Sequence, residues 1–209
     1  MDLFSYIAYR YNPKIIFEAG CADGTHTKIL AEIFKMATVY AFEPVKEYYE
    51  QAKQRTQHLP NVKIYNVALG ERNEDHEIYI SYNSDGNMWC SNSLLKPKEH
   101  LISNPHIKFP ETRITKVINL DSFCEENNIK QIDFFWLDMQ GYEMKTLMAA
   151  PKILDNIKSL YTETNIIETY EGTELYGVYK SWLIEKGFKL MLETFSPTGD
   201  QGDSFFSRE

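Results

Sequence analysis

Cysteine is scarce in this chain of 209 residues. The three cysteines, Cys21, Cys90 and Cys124, lie far apart and form no C-x-x-C pair. A disulfide framework needs an even set of cysteines at close spacings, and a zinc ribbon needs paired C-x-x-C motifs, so neither is predicted. We expect reduced thiols, as in a cytosolic protein.

Long hydrophobic runs are also missing. No stretch approaches the roughly 18 uncharged apolar residues that suggest a membrane-spanning helix. The first residues, Met1 to Tyr6, lack a basic start followed by an apolar segment, so no signal peptide is predicted. These features predict a cytoplasmic protein without membrane insertion.

Positive charge is in deficit. The chain has 22 Lys and Arg against 30 Asp and Glu, a formal net charge of −8. Nucleic-acid backbones and anionic membranes both favour basic surfaces, so neither is expected as the main partner. The five histidines form neither H-x-H nor H-E-x-x-H, and no metal site is predicted from them. A magnesium ion held by a carboxylate at Asp138 stays open.

What is present is an alternation of short apolar runs, rich in β-branched residues, with longer helical patterns. This alternation is typical of a doubly wound α/β fold with a mostly parallel sheet, and the length suits one domain over residues 1–209. The predicted strands are residues 14–19, 38–42, 62–67, 132–137, 160–164 and 188–194, with helices at 25–36, 44–57, 121–128, 142–149 and 175–186.

The pattern changes after the third strand. Residues 76–82 alternate between polar and apolar side chains, and residues 113–117 are expected to pair with them as a β-hairpin insertion. Between them, residues 83–112 carry little periodicity. A long loop in a compact domain is often functional, so this segment is predicted to be a lid or acceptor loop. Residues 203–207 are expected to form a closing edge strand.

Ligands of open α/β sheets bind beyond the carboxyl ends of the strands. The first strand runs into E-A-G-C-A-D-G-T at residues 18–25, where Gly20 and Gly24 allow a tight turn before a helix. The dinucleotide fingerprint G-x-G-x-x-G is absent. Glu43 ends the second strand 23 positions after Gly20, a spacing suited to binding the hydroxyls of a ribose. Loop and acid together favour a nucleoside ligand.

Further candidates follow the other strands. The third ends in N-V-A-L-G at 66–70, where small residues would leave room for an adenine edge; a plain strand-end turn explains Gly70 equally well. Asp138 comes directly after an apolar run, and an unpaired buried carboxylate is costly, so a functional role is favoured over a helix cap. Glu163 ends the next strand; a salt bridge or cap contact is the alternative there.

Four of these segments, in this order, resemble the FkbM-type methyltransferases, which use S-adenosylmethionine and have the class I Rossmann-like fold. They are E-A-G-C-A-D-G-T (18–25), A-F-E-P (41–44), N-V-A-L-G (66–70) and L-D-M-Q-G-Y-E (137–143). The resemblance implies methyl transfer to an oxygen, typically a hydroxyl of a sugar, glycan or secondary metabolite. The expected partner is therefore a small-molecule or glycan acceptor.

The resemblance also implies roles for single residues. Glu18, Gly20, Asp23 and Gly24 would contact the methionine end of the cofactor, Glu43 the ribose and Ala68 the adenine, with Asp138 at the boundary between cofactor and acceptor. Asp138 or Glu163 is the expected general base. The chain departs from the commonest pattern of the family, with Glu18 in place of Asp, Asp23 in place of Asn and Gln140 in place of Glu.

Two rival hypotheses remain at this point. A non-catalytic module that binds an adenosine cofactor would keep the glycine loop and lose the base, so Asp138 discriminates it. An NAD-dependent oxidoreductase would share the loop and Glu43, but it should also carry G-x-G-x-x-G and a proton donor such as Tyr-x-x-x-Lys, which are missing around Tyr142.

Overall fold

The fold alternates strands and helices along most of the chain. The computed structural model describes residues 3–197 and 199–208. The helices are α1 Leu3–Tyr11, α2 Thr25–Ile33, α3 Lys46–Thr56, α4 His100–Ser103, α5 Leu120–Glu126, α6 Glu143–Met148, α7 Pro151–Leu154 and α8 Tyr176–Glu185. The strands are β1 Ile15–Ala19, β2 Thr38–Phe42, β3 Val62–Tyr65, β4 Ala68–Gly70, β5 Glu74–Tyr82, β6 Lys108–Asn119, β7 Phe134–Leu137, β8 Ser159–Asn165, β9 Lys189–Phe195 and β10 Gln201–Ser207.

The central sheet has seven strands in the order β3-β2-β1-β7-β8-β10-β9. Pairing from β3 through β8 is parallel, and β10 runs antiparallel to both of its neighbours. The predicted doubly wound α/β fold is therefore confirmed. The order reverses between β1 and β7, where Ala19 lies opposite Leu137, and such a switch point opens a crevice for a ligand.

Burial explains why the central strands form. Phe134, Phe135 and Leu137 in β7 are fully buried, as expected for a parallel strand covered on both faces. On one side of the sheet, Phe17 and Phe135 belong to a core that includes residues of α5, α6 and α8. On the other side, Ile16 packs with residues of α1 and α2.

The last strand differs from the prediction. Residues 203–207 were expected at an edge, but β10 lies inside the sheet, between β8 and β9. Phe205 and Phe206 point to opposite faces and are both buried, because each face of β10 is covered by one of the two cores. The exposed edge strand is β9 instead.

The predicted hairpin is present in a second sheet, in the order β4-β6-β5. Strand β6 begins at Lys108, so the loop between β5 and β6 is shorter than the predicted 83–112. This loop is tied to the body of the protein, because Ser93 pairs with Tyr79, and Pro97 pairs with Tyr170. Regular backbone contacts therefore hold much of the predicted lid.

The N-terminal helix α1 was not predicted from the sequence. It begins at Leu3 and covers one face of the sheet through Ile7, which is fully buried. Met1 and Asp2, part of the segment for which no signal peptide is predicted, lie outside the described residues. Among the residues that the structure describes, no helix is long and apolar enough to cross a membrane.

Candidate active site

A cavity of about 780 Å³ opens at the carboxyl ends of β1, β2, β7 and β8. The loop between β5 and β6 covers it with Met88, Trp89 and Cys90, which lie in the segment predicted to be a lid or acceptor loop. Most of the predicted site residues meet in its wall: Gly20, Asp23, Glu43, Ala68, Asp138 and Glu163. Glu18 and Gly24 lie outside the lining.

Both glycines of the first loop are required by its geometry. Gly20 has φ 82°, and a Cβ at that position would come within 1.8 Å of the carbonyl oxygen of Asp138. Gly24 has φ 77° at the start of α2, and its Cβ would approach the Cα of Ala52 to 2.7 Å. Gly20 thus brings β1 and β7 together at the cavity, whereas Gly24 allows α2 to pack on α3.

Glu18 lies behind the glycine loop. Its side chain is 2% exposed, and its Oε2 accepts a hydrogen bond from Thr27 Oγ1 at 2.5 Å. Burial raises the pKa of Glu18 to about 8, and the nearby carboxylates of Asp138 and Glu43 add to the effect. If Glu18 influences a cofactor, as predicted, its charge would therefore do so from behind the glycine loop.

Glu43 connects the glycine loop to the segment that follows β2. Its two oxygens accept hydrogen bonds from the backbone N–H of Ala22 at 2.8 Å and of Val45 at 2.9 Å. Burial raises the pKa of Glu43 to about 7 against the opposing effect of these N–H groups. A carboxylate has about four acceptor positions, so two are left for the hydroxyls of a ligand.

Asp23 lies at the rim of the cavity. One carboxylate oxygen accepts from the backbone N–H of Thr25 at 3.0 Å, and the other forms an ion pair with Arg55 at 2.5 Å. These partners fix the turn that leads into α2. The structure thus gives Asp23 a loop-stabilising role beside the predicted contact with a cofactor.

Gln140 joins Asp138 and Glu163. In the sequence it stands out only as a departure from the commonest pattern of the family. The Nε2 of Gln140 donates a hydrogen bond to Asp138 Oδ1 at 2.7 Å and to the Glu163 carboxylate at 3.2 Å. Gln201 in β10 also donates to Glu163, at 2.8 Å. The signal in the sequence was the segment L-D-M-Q-G, whose Gln140 takes a left-handed backbone with φ 54°.

The pKa values of both carboxyl groups are raised. Burial raises the pKa of Asp138 to about 6, while the Gln140 amide limits the rise. For Glu163, burial and the charge of Asp138 raise the pKa well above its usual range. At neutral pH Asp138 is therefore mainly ionised, and Glu163 keeps its proton to a higher pH than an ordinary glutamate does.

The family assignment follows from residues 18–190, which match the methyltransferase FkbM domain. That match includes the glycine loop, Glu43, Asp138 and Glu163. The chain belongs to the FkbM methyltransferase family. Its cofactor is S-adenosylmethionine, and its fold is the Rossmann-like fold of class I methyltransferases.

Known proteins similar to this FkbM chain agree with the fold. The 2-O-methyltransferase NoeI of Sinorhizobium fredii (strain NBRC 101917 / NGR234) is 28% identical over 161 residues, covering 76% of this chain and 66% of NoeI. The chain thus spans just under two thirds of that relative. The structure of magnesium protoporphyrin IX methyltransferase from Synechocystis PCC 6803, with bound SAM, matches with a TM-score of 0.54 at 10% identity. The match covers 99% of this chain and 76% of the Synechocystis chain. An rRNA methylase from Streptococcus thermophilus has a TM-score of 0.54 at 15% identity, covering 98% and 92%.

The residues of the cavity fit S-adenosylmethionine. The lining contains carboxylates, including Asp23, Glu43 and Asp138, and no Lys or Arg among the described residues, a donor set that favours a cationic ligand. Glu43 keeps acceptor positions for the ribose, and the small side chain of Ala68 lies in the wall. No grouping of His, Cys, Asp and Glu suited to a metal ion occurs within residues 3–197 and 199–208.

Proposed function

We propose that residues 1–209 act as a single methyltransferase domain that methylates a hydroxyl group of a sugar, glycan or secondary metabolite. When bound, S-adenosylmethionine supplies a methyl group on a sulfonium, already activated for in-line transfer. The protein has to align the acceptor oxygen, exclude water and remove one proton. The observation that carries the proposal is that the carboxyl groups of Asp138 and Glu163 lie together in the wall of the cofactor cavity and are joined by the Gln140 amide.

Asp138 is the proposed general base. Its Oδ1 accepts from Gln140, which leaves Oδ2 to accept the proton of the acceptor hydroxyl. With a pKa of about 6, it is ionised at neutral pH and still basic enough to take that proton as the oxygen forms its new bond. Glu163, held by Gln201 and Gln140, is the proposed neighbour, and its raised pKa disfavours a second negative charge beside the base.

The acceptor is proposed to be uncharged. A second cleft of about 330 Å³ shares Asp138, Glu163 and Gln201 with the main cavity and is bounded by Phe195 and Asp203. Neither lining includes Lys or Arg among the described residues, so phosphate or carboxylate groups on an acceptor would meet unbalanced negative charge. Carboxylate and amide side chains instead suit the hydroxyls of a neutral sugar, in line with the name of NoeI as a 2-O-methyltransferase.

The first test is binding. Isothermal titration with S-adenosylmethionine, S-adenosylhomocysteine and NAD should give micromolar affinity for the two sulfur nucleosides and none for NAD. Glu43→Ala should abolish that binding, whereas Glu47→Ala, a partly exposed glutamate on α3, should preserve it. Binding of NAD alone, or of no nucleoside, would contradict the proposal.

The second test separates an enzyme from a binding module. Neutral glycosides are screened by the release of S-adenosylhomocysteine, beside the matching sugar phosphates and uronic acids. Asp138→Asn should lower kcat by about 10²- to 10⁴-fold, the usual contribution of a general base, and change cofactor affinity little. Asp155→Asn, at an exposed site, is the control. Binding without turnover on any acceptor would favour the non-catalytic module.

A further inference from the structure

We propose that Gln140 is a positioning residue: its amide orients the Asp138 carboxylate and holds it at a fixed separation from Glu163. The inference deepens the proposed function, in which Asp138 is the base. It rests on the contacts of one amide group, which uses both its nitrogen and its oxygen inside the site.

The orientation of the amide is fixed from outside the site. Gln140 Oε1 accepts a hydrogen bond from the Tyr170 hydroxyl at 2.8 Å, and that hydroxyl lies 3.0 Å from the carbonyl oxygen of Ser91. Tyr170 is 1% exposed, so its ring is enclosed by protein. Rotating the amide would put its oxygen 2.7 Å from Asp138 Oδ1, where two acceptors would repel each other.

The backbone of Gln140 is equally constrained. Its φ of 54° lies in the left-handed region, which costs energy for a residue with a side chain. The Ser93 hydroxyl donates to the Gln140 carbonyl at 2.8 Å, and Gly141 is needed next because a Cβ there would lie 2.3 Å from Thr173 Oγ1. Strained backbone held on both sides by specific contacts is a common means of placing a functional side chain.

An amide suits this position because it donates hydrogen bonds without titrating. Asp138 already faces the carboxyl groups of Glu18 in β1, Glu43 after β2, Glu143 in α6, Glu163 in β8 and Asp203 in β10. The nearby Tyr161, Tyr170 and Cys90 stay neutral, because burial raises the pKa of each. No Lys or Arg side chain bonds to Asp138 in the described part of the chain, so the Gln140 N–H is what favours its ionised form.

The test measures the pKa of Asp138 directly, by ¹³C NMR titration of side-chain carboxyls in the complex with S-adenosylhomocysteine. Asp138→Asn and Glu163→Gln spectra supply the assignments. Gln140→Leu keeps the size of the side chain and removes the donor, so the pKa of Asp138 should rise by roughly one pH unit. Gln140→Glu should raise it further, since it adds a carboxylate. Asp155→Asn, at an exposed position outside both cavities, is the control and should change it little.

Tyr170→Phe gives a second route if Gln140→Leu fails to fold. It keeps Gln140 but frees the amide to rotate, so a smaller rise in the pKa of Asp138 is expected. An unchanged pKa in the folded variants would overturn the proposal. The pH profile of kcat/KM separates the positioning role of Gln140 from the proposed role of Asp138 as the base. If Asp138 is the base, the acid limb of the profile should follow the pKa measured by NMR. A shifted NMR value with an unmoved profile would retain Gln140 as the positioning residue and reject Asp138 as the base.

Discussion

Replacing Glu18 with Gln should stabilise the ligand-free protein, and it should do so only at neutral and alkaline pH. Glu18 is 2% exposed and its pKa is about 8 in the folded state, against 4.5 for an ordinary glutamate. Because the pKa is higher in the folded state than in the unfolded state, the folded protein is more stable with the proton bound than without it. Stability is therefore full below pH 4.5 and falls as pH rises toward 8.

The magnitude follows from that difference. Each pH unit between the two pKa values costs about 1.4 kcal/mol, so the cost at pH 7 is roughly 3 kcal/mol and at pH 5 below about 1 kcal/mol. Gln cannot ionise, and its Oε1 can still accept the hydrogen bond of Thr27 Oγ1. The variant should therefore gain most of the 3 kcal/mol at pH 7, a rise in Tm of roughly 6–12 °C for a chain of this size.

The assay is urea unfolding without cofactor at pH 5 and pH 7.5, with Glu32→Gln as the control. Glu32 lies on α2 with its side chain 48% exposed, so its replacement removes a surface charge and a weak, exposed ion pair with Lys28. An equal effect of Glu18→Gln at both pH values would refute the reasoning, as would destabilisation at pH 7.5. If the carboxylate serves the cationic cofactor, the same variant should bind S-adenosylmethionine more weakly by calorimetry.

Two other variants test the framework of the site. Gly20→Ala should lose cofactor binding and several kcal/mol of stability by chemical unfolding, because the added Cβ collides with backbone at Asp138; an alanine variant of normal stability would contradict the geometry. Asp133→Asn should destabilise by about 1–2 kcal/mol at pH 7, because the partner Lys158 is 39% exposed and can turn to water. Burial raises the pKa of Asp133, but two backbone N–H groups and Lys158 lower it by more, so the net pKa lies below the ordinary value. The stability that the carboxylate contributes is therefore present above about pH 4 and lost in acid. Equal losses of stability in the variant at pH 3 and pH 7 would exclude this cause.

The sequence was informative where the determining features are local. A strand that ends in a polar residue brings that residue to the carboxyl edge of the sheet, and Glu43 and Asp138 both lie there. Neighbouring residues on a strand point to opposite faces, however. Ala19 lines the cavity and Glu18 does not, a distinction that the motif alone does not contain.

Features that depend on distant pairing were not accessible. The interior position of β10 depends on its antiparallel register with β8 and β9. The role of Gln140 depends on Tyr170, thirty positions along the chain, whose hydroxyl lies between the Gln140 amide and the carbonyl of Ser91 in the loop between β5 and β6. Neither the pairing of β10 nor the contact between Gln140 and Tyr170 can be predicted from the spacing of residues in the sequence.

The accumulation of buried carboxyls yields one more prediction, which concerns the cofactor. Asp138, Glu43 and Glu18 have pKa values of about 6, 7 and 8 in the ligand-free protein, so all three hold protons part of the time near neutral pH. A positive ligand favours their ionised forms, and its binding must release protons. S-adenosylmethionine carries the sulfonium charge and S-adenosylhomocysteine does not.

The ratio of the two affinities should therefore shift toward S-adenosylmethionine as the pH rises from 6 to 8. Calorimetry in buffers of different ionisation enthalpy would count the protons released by each ligand. Glu18→Gln should reduce the number released with S-adenosylmethionine, because one of the titrating groups is gone. A ratio that stays constant over this range would mean that the sulfonium lies too far from these carboxyls to interact with them, and that their burial serves the loop alone.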